Sequence, residues 1–369
     1  MNLSIVIPCL NESDTLQICI DKIKSKIDYL KIESEIILSD NGSTDGSLEI
    51  AKKNNVKIIN VSEKGYGNAV ISGIRASKGE YILIADADDS YDFNDLPRFY
   101  NKIKNGFDIV QGCRLSLGGG KIERGAMPLS HKYIGNPLFT FMAKKIYKLP
   151  FNDVYCGMKI IKKSFFEKIK FFSGGMVFCL EILIKAVVNN AKISELPITL
   201  FKDGRINSKS HLRTIKDGLK TLKFILICSP KSMYFIPGFI MTFLLLVHVI
   251  TLSFDPNFNQ LLNKFLIMYL AIIFLISQFF MLGLYSTLRA ETLELIKVTR
   301  LETFFKFFSL KLSICLFFSL IFLNHFIFHF ELFNFILDKN KFNFLIMIDL
   351  ICINIIFNSF FISLLRVNK

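Results

Sequence analysis

Short apolar runs alternate with amphipathic stretches along the first 85 residues. Apolar runs typical of strands lie at 3–8, 34–40, 56–61 and 80–85. The stretches between them have apolar residues three and four positions apart, the spacing of a helix, at about 13–30, 45–54 and 66–77. This order predicts an α/β domain with a parallel sheet and helices on both faces. Ligands of such a sheet bind beyond the carboxyl ends of its strands.

From residue 233 onwards the pattern changes to long apolar stretches. Residues 233–369 carry only 10 of the 45 Lys and Arg residues and 7 of the 31 Asp and Glu residues. Crossing a bilayer takes roughly 20 apolar residues. Four stretches reach that length, at about 233–254, 265–288, 312–330 and 342–365. The sequence therefore predicts a charged domain at 1–211 and an α-helical membrane domain of about four transmembrane helices at 233–369.

Between these two parts, residues 212–232 combine an apolar stripe with basic side chains. The apolar positions recur at intervals of three and four, at Leu212, Ile215, Leu219, Leu222 and Leu226. Basic residues run beside them, at Arg213, Lys216, Lys220 and Lys223. This pattern predicts a helix that lies in the interface of an anionic membrane. A helix packed on the domain would show the same pattern, but the position just before the first apolar span favours the interface.

Charge and composition narrow the class of protein. The formal net charge is +14 and the mean hydropathy is +0.42, which is too apolar for an ordinary soluble domain. Basic residues lie in 289–306 and are missing from 255–260, although Lys339 and Lys341 weaken this contrast. Loops rich in Lys and Arg usually lie on the cytoplasmic side of a membrane, so the basic loop at 289–306 predicts that the first domain is cytoplasmic as well. A basic domain beside a membrane accounts for the charge without nucleic acid, and a homo-oligomer through the apolar helices is compatible with this arrangement.

An acid cluster follows the fourth predicted strand in "YILIADADDSYDF" (81–93). Asp86 and Asp88 are separated by one residue, and such carboxylates suit a hard cation such as Mg²⁺ or Mn²⁺. Capping of the next helix is the alternative, and it accounts for Asp92 and fits Asp89. Capping fails for Asp86, because Asp86 continues directly from an apolar strand. We therefore expect a divalent metal bound by Asp86 and Asp88.

Several motifs, taken in order, resemble those of a known family. They are "IVIPCLNES", "DNGSTDGS", "KGYGNAVISGI", "ADADD", "GCR", "DVYCGMKI", "GMVFCLEILIKA", "ISELPI" and "DGRINSKSHLR". Together they resemble family 2 glycosyltransferases of the GT-A fold, in the polyprenyl-phosphate branch that includes dolichol-phosphate mannose synthases and undecaprenyl-phosphate sugar transferases. The resemblance covers about residues 3–230. It implies a Rossmann-like nucleotide-sugar-binding domain.

The resemblance also implies a set of donor-binding residues. Pro8, Leu10 and Glu12 match the stretch that lines the nucleoside. Asp40 and Asn41 occupy the pair that reads the base, and the Asn leaves both a UDP and a GDP donor open. Asp86 and Asp88 match the metal-binding D-x-D motif, which would hold the diphosphate. The alternative for Glu12 is an acid in the first turn of a helix, beneath a cap at Asn11.

Catalytic and acceptor residues are implied in the same way. The resemblance places three acids near the donor sugar or the acceptor: Asp88, Asp153 and Glu181. Cationic candidates for the acceptor phosphate are Arg114, Lys132, Arg205 and Lys209. A turn residue and a surface helix residue are the alternatives for Asp153 and Glu181. A solvated basic surface explains some of the cations equally well.

The resemblance, together with the predicted membrane domain, implies an inverting glycosyltransferase. It would move a hexose from a UDP- or GDP-linked donor to a polyprenyl phosphate, undecaprenyl or dolichyl, at the cytoplasmic membrane face. An alternative acceptor is another membrane lipid such as diacylglycerol. A different class is a membrane scaffold or transporter fused to a degenerate transferase domain, and the intact Asp86, Asp88 and Asp153 disfavour it.

Overall fold

The computed structural model describes residues 1–206 and 214–297, together with Ser319, Phe322 and Asn354. The chain divides into two compact units. The first comprises Met1–Ile225 and Leu293–Leu295, and the second comprises Leu226–Thr292 and Ile296–Lys369. The predicted domain boundary at residue 211 falls within 207–213, which lies outside the described residues. The predicted spans at 312–330 and 342–365 also lie outside the described residues, apart from the single residues Ser319, Phe322 and Asn354.

The strands of the first unit form two sheets. They are β1 (Leu3–Cys9), β2 (Ser34–Asp40), β3 (Lys57–Asn60), β4 (Tyr81–Ile84), β5 (Ile109–Cys113), β6 (Lys121–Ile122), β7 (Lys159–Lys162), β8 (Ile193–Pro197) and β9 (Thr199–Leu200). The main sheet has the order β3-β2-β1-β4-β7-β5-β8, and β6 pairs with β9 in a second sheet. The strands predicted at the start of the chain are present to within two residues at each end.

The main sheet is mixed, so the expectation of a parallel sheet is wrong in one strand. β1, β2, β3 and β4 are parallel, as are β5 and β8. β7 runs antiparallel to both of its neighbours, β4 and β5. The α/β class is nevertheless confirmed. The pattern of apolar and polar residues along a strand indicates which side chains are buried, but not whether the strand runs parallel or antiparallel to its neighbours. The sequence therefore did not determine the orientation of β7.

Ten α-helices lie in the described residues. They are α1 (Leu16–Leu30), α2 (Ser47–Lys53), α3 (Tyr66–Ala76), α4 (Leu96–Lys104), α5 (Asn136–Tyr147), α6 (Lys163–Phe166), α7 (Phe178–Val188), α8 (Thr214–Ile227), α9 (Ile236–Ser253) and α10 (Phe258–Thr292). A core of the first unit lies between the main sheet and helices that include α1 and α4. Leu16, Ile20 and Ile23 of α1 are fully buried in it together with Ile5 and Ile7 of β1. Burial of this periodic stripe is what holds the first helix on the sheet.

The second unit consists of apolar helices in its described part. Lys231–Ser253 and Lys264–Thr292 are each long and apolar enough to cross a membrane. Only 6% of the most apolar window of the first segment and 18% of that of the second are buried, unlike in a core helix of a soluble domain. The spans predicted at 233–254 and 265–288 coincide with these two segments.

Candidate functional site

A cavity of about 750 Å³, here called the first cavity, opens at the carboxyl ends of β1, β2 and β4. The loops after these parallel strands meet there because the three strands are neighbours in one sheet. Eight residues predicted from the sequence line it: Pro8, Leu10, Glu12, Asn41, Asp86, Asp88, Arg114 and Arg205. Residues that are far apart along the chain are thus brought to one place.

Asp86 is a partly buried residue that lines the first cavity. Its Oδ1 atom is buried and has no hydrogen-bond partner in the described part of the chain. Burial raises the pKa of Asp86 from 3.8 to about 7, and the nearby charge of Asp88 acts in the same direction. A buried carboxyl with an unused oxygen is costly unless a cation or a proton accompanies it.

Asp88 is oriented by its neighbours beside Asp86. Its Oδ1 atom accepts hydrogen bonds from the Ser90 amide at 3.1 Å and the Ser90 hydroxyl at 2.6 Å. Its Oδ2 atom lies 3.3 Å from Nη1 of Arg205. Among the described residues, no group of three or more His, Cys, Asp or Glu side chains could hold a metal. Two carboxylates, one with an unused oxygen, nevertheless fit Mg²⁺ or Mn²⁺, which complete their shell with water and phosphate oxygens.

Asp89 and Asp92, the other two acids of the cluster, interact with residues outside the first cavity. Asp92 accepts a hydrogen bond from the Asn94 amide at 2.9 Å, so it caps the turn that follows. Asp89 forms an ion pair with Lys22 at 2.7 Å. Only Asp86 and Asp88 of these four carboxylates line the first cavity.

Arg205 connects the end of the first domain to the first cavity. Its guanidinium forms a two-pronged ion pair with Glu12, with Nε 2.8 Å from Oε2, and it also faces Asp88 and Asp203. The backbone before it is held as well, because the amide of Gly204 donates to the carbonyl of Asp88 at 2.9 Å. Arg205 therefore neutralises carboxylates of the first domain, and its expected role at an acceptor phosphate stays a prediction.

Asp40 and Asn41 shape the loop after β2. Asp40 accepts hydrogen bonds from the amides of Gly42 and Ser43 at 2.9 and 3.1 Å and does not line the first cavity. Asn41 donates to the Glu63 carbonyl at 2.9 Å and accepts from the Gly65 amide at 2.7 Å. An Asp at position 41 could accept but not donate, so Asn41 is suited to joining these two loops.

Arg114 and Asp153 form a buried ion pair next to the first cavity. Arg114 Nε lies 2.7 Å and Nη2 2.9 Å from the Asp153 carboxylate, and the Arg114 amide donates to it at 3.0 Å. Burial alone would raise the pKa of Asp153, but the charge and hydrogen bonds of Arg114 outweigh burial and lower the pKa below its ordinary value. Arg114 lines the first cavity whereas Asp153 does not. Asp153 thus contacts Arg114 but does not line the first cavity itself.

Glu181 lies in α7 and is fully buried. Its carboxylate pairs with Lys185 at 2.9 Å and accepts hydrogen bonds from the amides of Phe172 and Ser173 at 3.0 and 2.8 Å. The two glycines that follow Ser173 line the first cavity, but Glu181 itself does not. Its geometry is that of a residue that fixes a loop, and its expected catalytic role stays a prediction.

A second cavity of about 850 Å³ adjoins the first and shares Asp86, Asp88, Arg114 and Arg205 with it. One wall comes from residues 124–129 and the start of α5, and another from Asp217, Gly218 and Thr221 of α8. Lys132 lies over the ring of Tyr133 and outside the lining of both cavities. Lys209 lies outside the described residues.

Some residues of the site were missed by sequence reasoning. Tyr66 and Gly157 both line the first cavity, and a Cβ atom at Gly157 would lie only 2.5 Å from Oδ2 of Asp86. Tyr91 accepts a hydrogen bond from the Gly157 amide at 2.8 Å. Lys159 is buried in β7 and donates to two carbonyl oxygens just before it, at 2.6 and 3.3 Å. The signal available in the sequence was a lysine inside the apolar run "GMKIIK".

Comparison with known proteins finds one family model that matches part of the chain. Residues 4–170 match the model of Glycosyl transferase family 2. The low-salt glycan biosynthesis hexosyltransferase Agl6 of Haloferax volcanii is 34% identical over 239 residues, which is 64% of this chain and 56% of that protein. A dolichol-phosphate mannosyltransferase of Pyrococcus furiosus is 30% identical over 226 residues, 60% of this chain and 62% of that protein. The chain thus spans only about six tenths of the length of these curated relatives.

A solved structure is also similar to the chain. The glucosyl-3-phosphoglycerate synthase of Mycobacterium tuberculosis, in complex with uridine diphosphate, matches with a TM-score of 0.49 and 17% sequence identity. The match covers 61% of this chain and 79% of the solved chain.

Proposed function

We propose that the chain, whose residues 4–170 match the model of Glycosyl transferase family 2, is an inverting glycosyltransferase. It transfers a hexose from a UDP- or GDP-linked donor to a polyprenyl phosphate at the cytoplasmic face of a membrane. The observation that carries the proposal is the first cavity, where two adjacent carboxylates meet cationic side chains at the carboxyl edge of the sheet. The similarity to a hexosyltransferase and to a dolichol-phosphate mannosyltransferase supports the class of donor and acceptor.

The donor is assigned to the part of the first cavity that adjoins β1 and β2. Pro8, Leu10 and Glu12 line it there, as does Asn41, and Asp40 fixes the loop that carries Asn41. A Mg²⁺ or Mn²⁺ ion held by Asp86 and Asp88 would neutralise charge on the diphosphate leaving group. The oxygen of Asp86 that lacks a hydrogen bond in the described chain is the observation that fits such an ion.

The reaction needs no strong general base in this scheme. A phosphate monoester has a second pKa near 6, so the acceptor is largely dianionic at pH 7. One of its oxygens attacks the anomeric carbon and forms the new C–O bond. The bond from that carbon to the diphosphate oxygen breaks, and the nucleoside diphosphate leaves with the electron pair. The protein has to hold two anions in line and offset their repulsion.

Two features of the first domain support a lipid acceptor. Ile215 and Leu219 of α8 are exposed, as expected for the predicted interfacial helix. A second exposed apolar stripe, absent from the sequence-based prediction, runs along α5 and the turn before it through Ile134, Leu138 and Phe141. These residues are three and four positions apart and so lie on one helix face. The two apolar segments of the second unit support membrane attachment of the whole chain.

The α5 stripe can be tested with a tryptophan reporter, because the chain has no Trp of its own. In Leu138→Trp, reconstituted in vesicles, the indole is expected to emit at shorter wavelength and to be quenched by brominated lipids, since it would lie among lipid chains. Tyr29→Trp is the control, because Tyr29 is an exposed aromatic residue on α1 and should show neither effect. Equal and weak quenching of both reporters would remove α5 from the membrane interface.

The proposed reaction is tested with the purified full chain and labelled nucleotide sugars. UDP-glucose, GDP-mannose and other donors are each offered with undecaprenyl phosphate, dolichyl phosphate or diacylglycerol. We expect labelled lipid only with a polyprenyl phosphate, and one donor preferred over the rest. Label in diacylglycerol would favour the alternative acceptor. No transfer from any donor, in the presence of Mg²⁺ and Mn²⁺, would contradict the proposal.

A further inference from the structure

Two of the four cations that sequence analysis assigned to the acceptor phosphate, Arg114 and Arg205, are already engaged with carboxylates. Arg114 makes a two-pronged pair with Asp153, and Arg205 makes one with Glu12 and also faces Asp88. An anion that bound either arginine would compete with a buried internal partner. Removing a guanidinium from such a partner is costly, because the carboxylate left behind remains buried and unpaired.

Lys216 and Lys220 are cations of a different kind. Both belong to α8, one turn apart, and both line the first cavity. Neither forms an ion pair with any residue in the ranges 1–206 and 214–297. Each ammonium group can therefore accept an anion without giving up a described carboxylate.

The position of these lysines around α8 is informative. Successive residues of a helix are about 100° apart. Ile215, Leu219 and Leu226 fall within one narrow sector and are exposed, whereas Thr221 and Ile225 lie in a sector that is buried. Lys216 and Lys220 lie in a third sector, which is separated from the buried sector by the apolar stripe. Because both lysines line the first cavity, this third sector faces the cavity. The lysines thus mark the boundary between an exposed apolar face and the cavity.

From this boundary position we propose that Lys216 and Lys220 form the subsite for the phosphate headgroup of the lipid acceptor. The proposal rests on the proposed function and identifies residues that bind the acceptor within it. A lipid whose chain lies along the apolar stripe would present its phosphate to the two ammonium groups. Two positive charges match a dianionic phosphate, and they offset its repulsion by Asp86 and Asp88 in the same cavity.

Two phosphate groups could bind to Lys216 and Lys220. One is the headgroup of the lipid acceptor and the other is the diphosphate of the donor. Lys223 provides a matched control, because it is an exposed lysine on the same helix that lines neither cavity. All three lysines would attract an anionic membrane about equally. A difference between them therefore reports the subsite, not general surface charge.

The decisive measurement is equilibrium binding of labelled polyprenyl phosphate to the full chain in neutral detergent, without donor. The Lys216→Gln/Lys220→Gln variant is expected to bind it at least about tenfold more weakly than the wild type, while Lys223→Gln changes affinity less than about twofold. Lys216→Arg/Lys220→Arg should retain most of the affinity. Binding of UDP and GDP in the presence of Mn²⁺ should be unchanged in the Gln variant.

Two results would overturn the subsite. One is equal lipid binding by the double variant and Lys223→Gln, and the other is weakened nucleotide binding with lipid binding intact, which would assign the lysines to the donor. Failure of the proposed function is distinguishable, because it would appear as absent sugar transfer by the wild type whatever the lysines bind. A thermal unfolding midpoint equal to that of the wild type shows that the double variant is folded.

Discussion

Asp88→Asn is expected to lower sugar transfer by roughly a hundredfold or more while the fold survives. The change removes one of two carboxylate charges from the proposed metal site, and a loss of about 3 kcal/mol of transition-state stabilisation corresponds to that factor. The Asn side chain keeps an oxygen that can accept from the Ser90 amide and hydroxyl, as Asp88 does. The measurement is the initial rate of transfer over a range of Mn²⁺ and Mg²⁺ concentrations, with the thermal unfolding midpoint as the check on folding.

Asp89→Asn is the matched control for this prediction. Asp89 is the next residue, but it pairs with Lys22 and lies outside the lining of both cavities. Its substitution should change the rate by less than about threefold, since partly exposed ion pairs contribute little. Full turnover of the wild type in excess chelator, or equal rates for the two variants, would contradict the assignment of Asp88 to a metal.

Asp153→Asn is expected to destabilise the first unit by about 3–5 kcal/mol, because it leaves the buried guanidinium of Arg114 without its counter-charge. Both side chains are nearly or fully buried, so water cannot replace the lost partner. The measurement is urea or thermal unfolding of the full chain in detergent. Since the pKa of Asp153 is lowered in the fold, its contribution is present at neutral pH and is lost as the pH falls below its ordinary value of 3.8.

Two further variants separate a structural from a catalytic role for Asp153. Asp108→Asn is the control, since Asp108 accepts one exposed hydrogen bond from the Lys192 amide and should cost less than about 1 kcal/mol. Arg114→Met/Asp153→Leu should be more stable than Asp153→Asn, because it leaves no unpaired buried charge. If Asp153→Asn kept wild-type stability and lost transfer, the catalytic role that the family resemblance implies would be the better account.

Much of the first unit was predictable because its pattern is local. The strands at the start of the chain and the helices between them follow from apolar spacing, which reports burial directly. The convergence of Pro8, Asn41 and Asp86 was predictable as well, because parallel neighbours in one sheet bring their carboxyl ends together. The exposed apolar stripe on α5 was missed, because the spacing of three and four marks an apolar helix face but not what that face contacts.

The sequence by itself determined the α/β order of the first domain, the apolar character of the second unit and the place of the acid cluster at a strand end. Only the tertiary structure decided which cation meets which carboxylate. Arg205 pairs with Glu12 across 193 positions, and Arg114 pairs with Asp153 across 39. Charged side chains form ion pairs with residues that are close in space, and the local pattern of the sequence does not show which residues those are. The same holds for Lys216 and Lys220, since their spacing placed them beside an apolar stripe and only the packing of α8 on the domain directed them to the first cavity.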